Sequence, residues 1–355
     1  MIHTTAIAMS GGVDSLMAAN LLINQGHNVI GIHFLTGYDP ELSGPPSEKN
    51  AVDLKVAQLG KLLGIPVHII DLSSEFRVNV IDYFKASYLS GQTPNPCLVC
   101  NPLIKFGTLL DYALKLGASR LATGHYARIE KDTENKPHLL KGFDPNKDQS
   151  YFLAFLTRYQ LDHIIFPLGK LTKAEVKALA KENGLSPVTS GESQDICFIR
   201  NKTYTDFLLE QPDFKQNPGE IIDSKGRNIG THTGLFQFTT GQRRGINCPA
   251  SKPYYVLRLD IKKNRLIVGE REELLSSECK VKNVNWISGQ QRFPIKAYTK
   301  VRYRHKAVLS ELHLTGKNNL LVRFNDPEPA ITPGQGAVFY NGNEVLGGGW
   351  IDGAE

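Results

Sequence analysis

A six-residue run near the start of the chain, Ser10-Gly11-Gly12-Val13-Asp14-Ser15, restricts the fold more than any other feature. It follows a short apolar run, Thr4–Met9, and precedes a segment in which Leu16, Ala19, Leu22 and Ile23 recur at helical spacing. The run must therefore turn a strand into a helix. Two glycines let the backbone approach an anion closely, and the helix that follows presents unpaired N–H groups and the positive end of its dipole. Ser10 and Ser15 add hydroxyl donors, and Asp14 is placed to help hold a magnesium ion beside phosphates. No Gly-x4-Gly-Lys-Ser/Thr and no Gly-x-Gly-x-x-Gly occurs anywhere in the chain. The plain alternative is an ordinary glycine-rich turn, and its place directly after the first strand weighs against that.

The alternation continues. Gly26 closes the first helix, Val29–Phe34 reads as a strand, and residues 47–63 read as a helix. Strand 67–72, helices 76–88 and 104–116, and strand 120–123 follow. Strands separated by helices predict an α/β domain with a parallel sheet covered on both faces. Residues 91–102 hold so many glycines and prolines that they read as a loop. Beyond about residue 200 the chain changes character. Residues 204–252 mix a short helix with glycine-rich turns. Short β-like runs follow at 254–259, 265–269, 297–304, 320–324, 337–340 and 344–347, with the hairpin pair Asn341-Gly342 between the last two. This pattern predicts a small linking domain and then an antiparallel β-barrel. We set the boundaries at 1–203, 204–268 and 269–355.

The chain has 355 residues, 41% hydrophobic and 21% charged, enough for two or three folded domains. A net charge of +6 permits a nucleic-acid partner without requiring one. The first residues carry no cationic region of a secretory signal, and no run of 18 apolar residues predicts a membrane span. The five cysteines (Cys97, Cys100, Cys197, Cys248 and Cys279) are odd in number and sparse, which argues for free thiols in a reducing, cytoplasmic setting.

Two cysteine segments carry chemistry. Thr93-Pro-Asn-Pro-Cys97-Leu-Val-Cys100 sets two thiols before a predicted helix, where the dipole should lower a thiol pKa. Half of a zinc site is the competing reading, but no second Cys-x-x-Cys exists to complete it. No metal site is predicted. The other segment is Gly191-Glu-Ser-Gln-Asp-Ile-Cys197-Phe-Ile199, whose polar lead-in fits a functional loop, although a lone cysteine is more often a core residue.

Taken with Leu121-Ala-Thr-Gly-His-Tyr-Ala-Arg128, Asn146-Lys-Asp-Gln-Ser-Tyr-Phe152, Gly241-Gln-Arg-Arg-Gly245, Val301-Arg-Tyr-Arg304, Thr332-Pro-Gly-Gln335 and Leu346-Gly-Gly-Gly349, these segments make a pattern. It resembles the bacterial tRNA-uridine 2-sulfurtransferases (2-thiouridylases) of the ATP pyrophosphatase, or PP-loop, superfamily. The resemblance runs in order over nearly the whole chain. It implies an ATP-binding domain of the adenine nucleotide α-hydrolase type and adenylation of a tRNA uridine oxygen, with sulfur then delivered from a cysteine persulfide. Ala8, Met9, Ser10, Gly11, Gly12, Val13, Asp14 and Ser15 would hold the ATP phosphates, with Phe34 and Gly124 beside the adenosine. Cys197 would carry the persulfide, received from a sulfur-relay or cysteine desulfurase protein, and Cys100 would close a transient disulfide with it. Asn95, Pro96 and Cys97 would face the target base. The chain departs from some family members at Cys97, where they carry Asp, a residue able to act as a base.

The basic run Lys296–Lys306 reads as a strand that carries Lys296, Lys300, Arg302, Arg304 and Lys306 without an acid, interleaved with Tyr298 and Tyr303. It fits RNA binding, and a solvated strand face is the bland alternative. The resemblance implies tRNA contacts from Arg302, Tyr303 and Gln335, and from His125, Lys147, Asp148 and Gln149. Another ATP pyrophosphatase, such as an ammonia-dependent synthetase, would explain the loop but not Cys100 or Cys197. A non-catalytic RNA-binding protein would leave the loop idle.

Overall fold

The computed structural model describes residues 4–39, 51–187, 196–249, 251–289 and 291–354. The chain divides into two units. One comprises residues 1–81, 97–198 and 342–346, and the other residues 82–96, 199–341 and 347–355.

The first unit alternates as its periodicity requires: β1 (Thr4–Ala8), α1 (Val13–Asn24), β2 (Asn28–Leu35), α2 (Ala51–Leu63), β3 (Val67–Asp71) and α3 (Ser73–Phe76). Residues 47–50 of the expected second helix lie outside the described residues. A π-helical turn, Arg77–Ile81, leads into α4 (Asp82–Leu89), which belongs to the second unit. Next comes one continuous helix made of α5 (Pro96–Cys100), a π-helical segment (Asn101–Thr108) and α6 (Leu109–Lys115). After it come β4 (Arg120–Ala122), the hairpin β5 (Ala127–Lys131) and β6 (Pro137–Lys141), α7 (Arg158–Asp162), β7 (Ile164–Ile165) and α8 (Lys173–Glu182). The central sheet has the order β3-β2-β1-β4-β7, every pair parallel. Strand order reverses between β1 and β4. In open parallel sheets the crevice outside the carboxyl ends of such strands is where ligands bind. Ile7, Met9, Leu16, Met17, Leu22, Ala122, Tyr126, Leu168 and Val176 form the core between sheet and helices.

One expectation fails here. The loop read over 91–102 is helical from Pro96 onward. Proline at a first helical position loses no hydrogen bond, and Pro102 sits at the start of the π-helical segment, where the regular ladder is already broken. The resulting 20-residue helix, Pro96–Lys115, has a mean hydropathy of 1.2, long and apolar enough by composition to cross a membrane. It is instead built into the unit's interior, with Leu98, Ile104, Phe106, Leu109, Leu110 and Ala113 buried and Lys105, Asp111 and Lys115 along it. No other helix among the described residues meets that length and composition.

In the second unit α4 packs on α9 (Tyr204–Leu209) through Phe84–Phe207 and a stacked Tyr88–Tyr204 pair with ring centres 5.1 Å apart. Strands β8 (Gly219–Asp223), β9 (Asn228–His232), β10 (Tyr255–Asp260) and β11 (Arg265–Gly269) form a sheet ordered β10-β11-β8-β9 around Ile221, Phe238, Val256, Leu266 and Val268. A six-stranded barrel follows: β12 (Leu275–Trp286), β13 (Ile295–Lys300), β14 (Val308–Gly316), β15 (Asn319–Pro329), β16 (Gly336–Asn341) and β17 (Glu344–Ala354). They run in the order β12-β15-β14-β13-β16-β17, and β17 returns to pair with β12 and closes it. Gly342 takes the positive φ that the Asn-Gly turn requires. The expected barrel is present, but β8, β9, β12 and β14 had no clear sequence signal. In β12 the alternation is broken where Asn283 adopts a positive φ and the register to β17 slips. The basic run 296–306 is strand only as far as Lys300. Arg302, Tyr303 and Arg304 lie in the turn beyond it.

Candidate active site

The run Ser10–Ser15 leaves the carboxyl end of β1 and enters α1, as its composition requires. Gly11 has φ 83°, a left-handed conformation that L side chains rarely adopt. Gly12 is the N-cap and has no side-chain cap, so the first N–H groups of α1 have no capping partner. Ser15 donates its hydroxyl to the Gly12 carbonyl at 2.9 Å and accepts from the Ser10 hydroxyl at 3.3 Å. Backbone donors, two hydroxyls and a helix terminus thus converge on one point.

Across the switch point stands the turn that follows β4. Gly124 packs so tightly on the loop that a Cβ there would come within 2.9 Å of the Asp14 carbonyl carbon, so only glycine fits. The Tyr126 hydroxyl donates to Asp14 Oδ1 at 2.7 Å, and Lys173 Nζ, at the start of α8, reaches both Asp14 oxygens at 2.7 and 2.8 Å. The Asp14 carboxylate is therefore engaged by protein groups on both oxygens. The charge beside the loop comes from Lys173, a residue absent from the sequence reading. Its helix start was legible, since Thr172 and Glu175 form a capping box. The partner 159 residues away was not.

Further hydrogen bonds fix these groups. Asp144 accepts from the Lys173 backbone N–H, and Gln149 accepts from the Tyr126 N–H at 2.9 Å. Asp148 is buried and accepts from Gly142 N, Ser150 N and Ser150 Oγ. Asp148 and Gln149, expected to touch tRNA, thus make these hydrogen bonds inside the protein, while Lys147 is half-exposed. Phe34, next to last in β2, is half-buried at the same carboxyl edge of the sheet.

The same turn reaches the thiols. His125 is buried, bonded through Nδ1 to Thr123 Oγ1 at 2.7 Å, and its ring packs against Phe106 of the cysteine helix with centres 5.7 Å apart. Burial, and secondly the charge of Lys105, hold its pKa well below the usual value, so it is a neutral imidazole. This buried ring packs on the site rather than presenting a surface to RNA. Cys97 and Cys100 share a face of α5, three residues apart. Cys197 is exposed, and its neighbour Phe198 is buried in an aromatic cage with Tyr38 and Phe76, both ring centres 5.9 Å away. Residues 191–195 lie outside the described residues. None of the five cysteines is joined in a disulfide.

The expected lowering of the thiol pKa is not found. Burial pushes Cys100 up to about 12 and Cys97 up to about 11. Cys197 raises both further, and Lys105 acts the other way. Cys100 closes α5 instead of lying at its N-terminal turn, so the helix dipole gives it little and desolvation dominates. The three thiols and Lys105 are within electrostatic reach of one another.

In the second unit, Gln335 is buried and donates to the carbonyls of Thr93 and Pro94 at 3.0 and 3.1 Å, and its Oε1 accepts from Asn95. The backbone N–H of Asn95 bonds the Tyr83 hydroxyl. Gln335 thereby clasps the segment that leads into Pro96 and Cys97. Arg302 donates to Thr332 Oγ1 at 2.7 Å and the Thr240 carbonyl at 3.4 Å, and Lys300 lies over the Tyr303 ring. Arg304 is exposed. Cys279 is buried in β12, and Cys248 packs on the core of the linking sheet.

Three family models match in succession: a tRNA methyl transferase HUP domain over residues 3–201, a tRNA methyl transferase PRC-barrel domain over 205–270 and an aminomethyltransferase beta-barrel domain over 276–351. A tRNA-specific 2-thiouridylase MnmA from Desulfosudis oleivorans is 50% identical, covering 98% of this chain and 94% of that protein. The chain belongs to the tRNA-specific 2-thiouridylase family. Members from Geobacter metallireducens and Syntrophotalea carbinolica are each 44% identical, over 98% and 97% of this chain and 96% and 97% of their own lengths. Within this 2-thiouridylase frame the phosphate loop and the three grouped thiols belong to one unit.

Proposed function

We propose that the protein uses ATP to replace the C2 oxygen of a tRNA uridine, at the wobble position, with sulfur. The observation that carries this reading is the turn 123–126. It packs on the phosphate loop through Gly124 and Tyr126 and on the cysteine helix through His125. One rigid turn thus couples an adenylating site to a thiol site.

Ala8–Ser15 cradle the phosphates, and Phe34 and Gly124 border the adenosine. The uridine oxygen attacks the α-phosphorus and pyrophosphate leaves, a step governed by positioning and charge neutralisation, to which Lys173 contributes. Both Asp14 oxygens are occupied, so the loop as folded offers a magnesium ion no open carboxylate, and any Mg2+ accompanies the triphosphate. A persulfide on Cys197 then attacks C2 and AMP departs. Cys100 attacks Cys197 Sγ, the S–S bond breaks, and its electron pair stays on the transferred sulfur. The products are thiolated uridine and a Cys100–Cys197 disulfide, which an external dithiol must reduce. The exposed position of Cys197 suits loading by a sulfur-relay or cysteine desulfurase protein. Asn95, Pro96 and Cys97 face the base, with Gln335 holding the Thr93 and Pro94 carbonyls and the Asn95 side chain. Lys147, Arg302, Tyr303 and Arg304 bind tRNA, with the work divided among residues 1–203, 204–268 and 269–355.

The test incubates the protein with tRNA, ATP and a persulfide donor, and reads AMP release and nucleosides by mass spectrometry. Expected are tRNA-dependent AMP and 2-thiouridine. AMP without 2-thiouridine, together with amidation of an added acceptor, would favour the synthetase reading instead.

A further inference from the structure

The cysteine helix changes its winding directly after Cys100. Residues 96–100 are α-helical, and residues 101–108 form a π-helical segment. In an α-helix, a residue five positions on is turned by about 140° from the first and faces away from it. In a π-helical turn, residues i and i+5 are the bonded neighbours. Lys105 is five positions after Cys100. The change of winding therefore carries Lys105 round to the face that holds Cys100 and, one α-turn earlier, Cys97. Gly107 permits this path, since a Cβ there would lie 2.9 Å from the Pro102 carbonyl oxygen.

Lys105 has a second distinction. It is only half-exposed, and among the described residues its ammonium makes no ion pair or hydrogen bond. A partly buried cation without a counter-ion is unfavourable unless the site supplies a negative charge at some stage. The nearby titratable groups are Cys97, Cys100, Cys197 and His125. His125 is neutral, so a thiolate or persulfide is the anion this site can develop.

We propose that Lys105 is the positioning cation that stabilises the Cys100 thiolate, and that the π-helical segment exists to set it there. The inference rests on the sulfur-transfer reading above and adds a residue to it. Cys100 must lose its proton before its sulfur attacks Cys197 Sγ. Buried as it is, its thiol has Lys105 as the one positive group among the described residues that opposes desolvation. The negative charge moves from Cys100 to the transferred sulfur as the S–S bond breaks, and Lys105 remains within reach throughout.

The test compares Lys105→Gln and Lys105→Arg with the unaltered protein. The pH dependence of Cys100 alkylation is read by peptide mass spectrometry, and formation of the Cys100–Cys197 disulfide is read in a single turnover with persulfide-loaded protein, ATP and tRNA. Removing the charge should shift the alkylation profile of Cys100 upward by about one pH unit and slow disulfide formation about tenfold. AMP release and persulfide loading should remain, and Lys105→Arg should restore both readouts. An unchanged alkylation profile in a folded Lys105→Gln protein, or an arginine variant as impaired as the glutamine one, overturns the proposal. The alkylation arm needs no turnover. If the unaltered protein released no AMP, the sulfur-transfer reading would fail while the coupling of Lys105 to Cys100 would still be judged.

Discussion

The phosphate loop and the cysteine cluster belong to the same unit and stand in opposite states of readiness. In the loop, Gly11 is already left-handed, the first turn of α1 is uncapped, and Lys173 and Tyr126 hold Asp14 in place. An anion entering there finds its donors aligned, so little reorganisation remains to be done. In the cluster, Cys97 and Cys100 are desolvated and protonated, and Cys197 lies outside the interior on a turn anchored by Phe198. A nucleophile kept as a neutral thiol does no chemistry until something changes its surroundings. Under the proposed function the contrast orders the reaction: the site assigned to ATP is built in advance, and the one assigned to sulfur waits for substrate. Kept as neutral, desolvated thiols, Cys97 and Cys100 are poor targets for oxidation between turnovers.

The sharpest way to break this comparison is to remove Cys197, the thiol proposed to carry the persulfide. Cys197→Ser should lower 2-thiouridine formation by about a thousandfold or more, yet leave tRNA-dependent AMP release within about threefold. Loss of AMP release as well, in folded protein, would mean that the two regions are one machine. The reciprocal change is Asp14→Ala. It leaves Lys173 without its partner and should reduce AMP formation about a hundredfold, while Cys100 alkylates at its usual rate. Full AMP production by a folded variant would detach this loop from nucleotide chemistry.

Thiol reactivity sharpens the comparison further. With Cys100 pushed up to about 12, its reactive fraction should rise tenfold for each pH unit up to that range, whereas an ordinary thiol levels off above about 9. At about pH 8, Cys100 should alkylate more than a hundredfold slower than the exposed Cys197. Quantitative mapping of the alkylated peptides decides this, and similar rates would show that Cys100 is already activated at rest. The smallest effect belongs to the anchor. Phe198→Ala opens the cage with Tyr38 and Phe76, and should slow 2-thiouridine formation about tenfold through poorer placement of Cys197, with AMP release unaffected. Equal loss of both activities would show that the cage supports the whole unit.

Much of this protein was legible before any tertiary contact was known. Strand–helix alternation determined the parallel sheet, because the periods differ and the strands predicted at 4–9, 29–34 and 67–72 are each followed by a helical segment long enough to cross back over the sheet. Asn341-Gly342 and the short β-like runs determined a barrel, and the motif Ser10–Ser15 determined a glycine-rich strand-to-helix turn of the kind that suits a phosphate, because glycine, hydroxyl and helix terminus leave few alternatives. What the sequence left open was decided by groups that meet only in the folded chain. The helix from Pro96 was hidden because prolines tolerated in a first turn and a π-helical segment look the same on paper as prolines in a loop. Lys173 and Tyr126 were invisible because their partner, Asp14, is more than a hundred residues away. The thiols went against expectation for a related reason. A helix dipole can be read from local sequence, but desolvation depends on every chain segment packed around a sulfur, and at Cys100 it is the larger of the two.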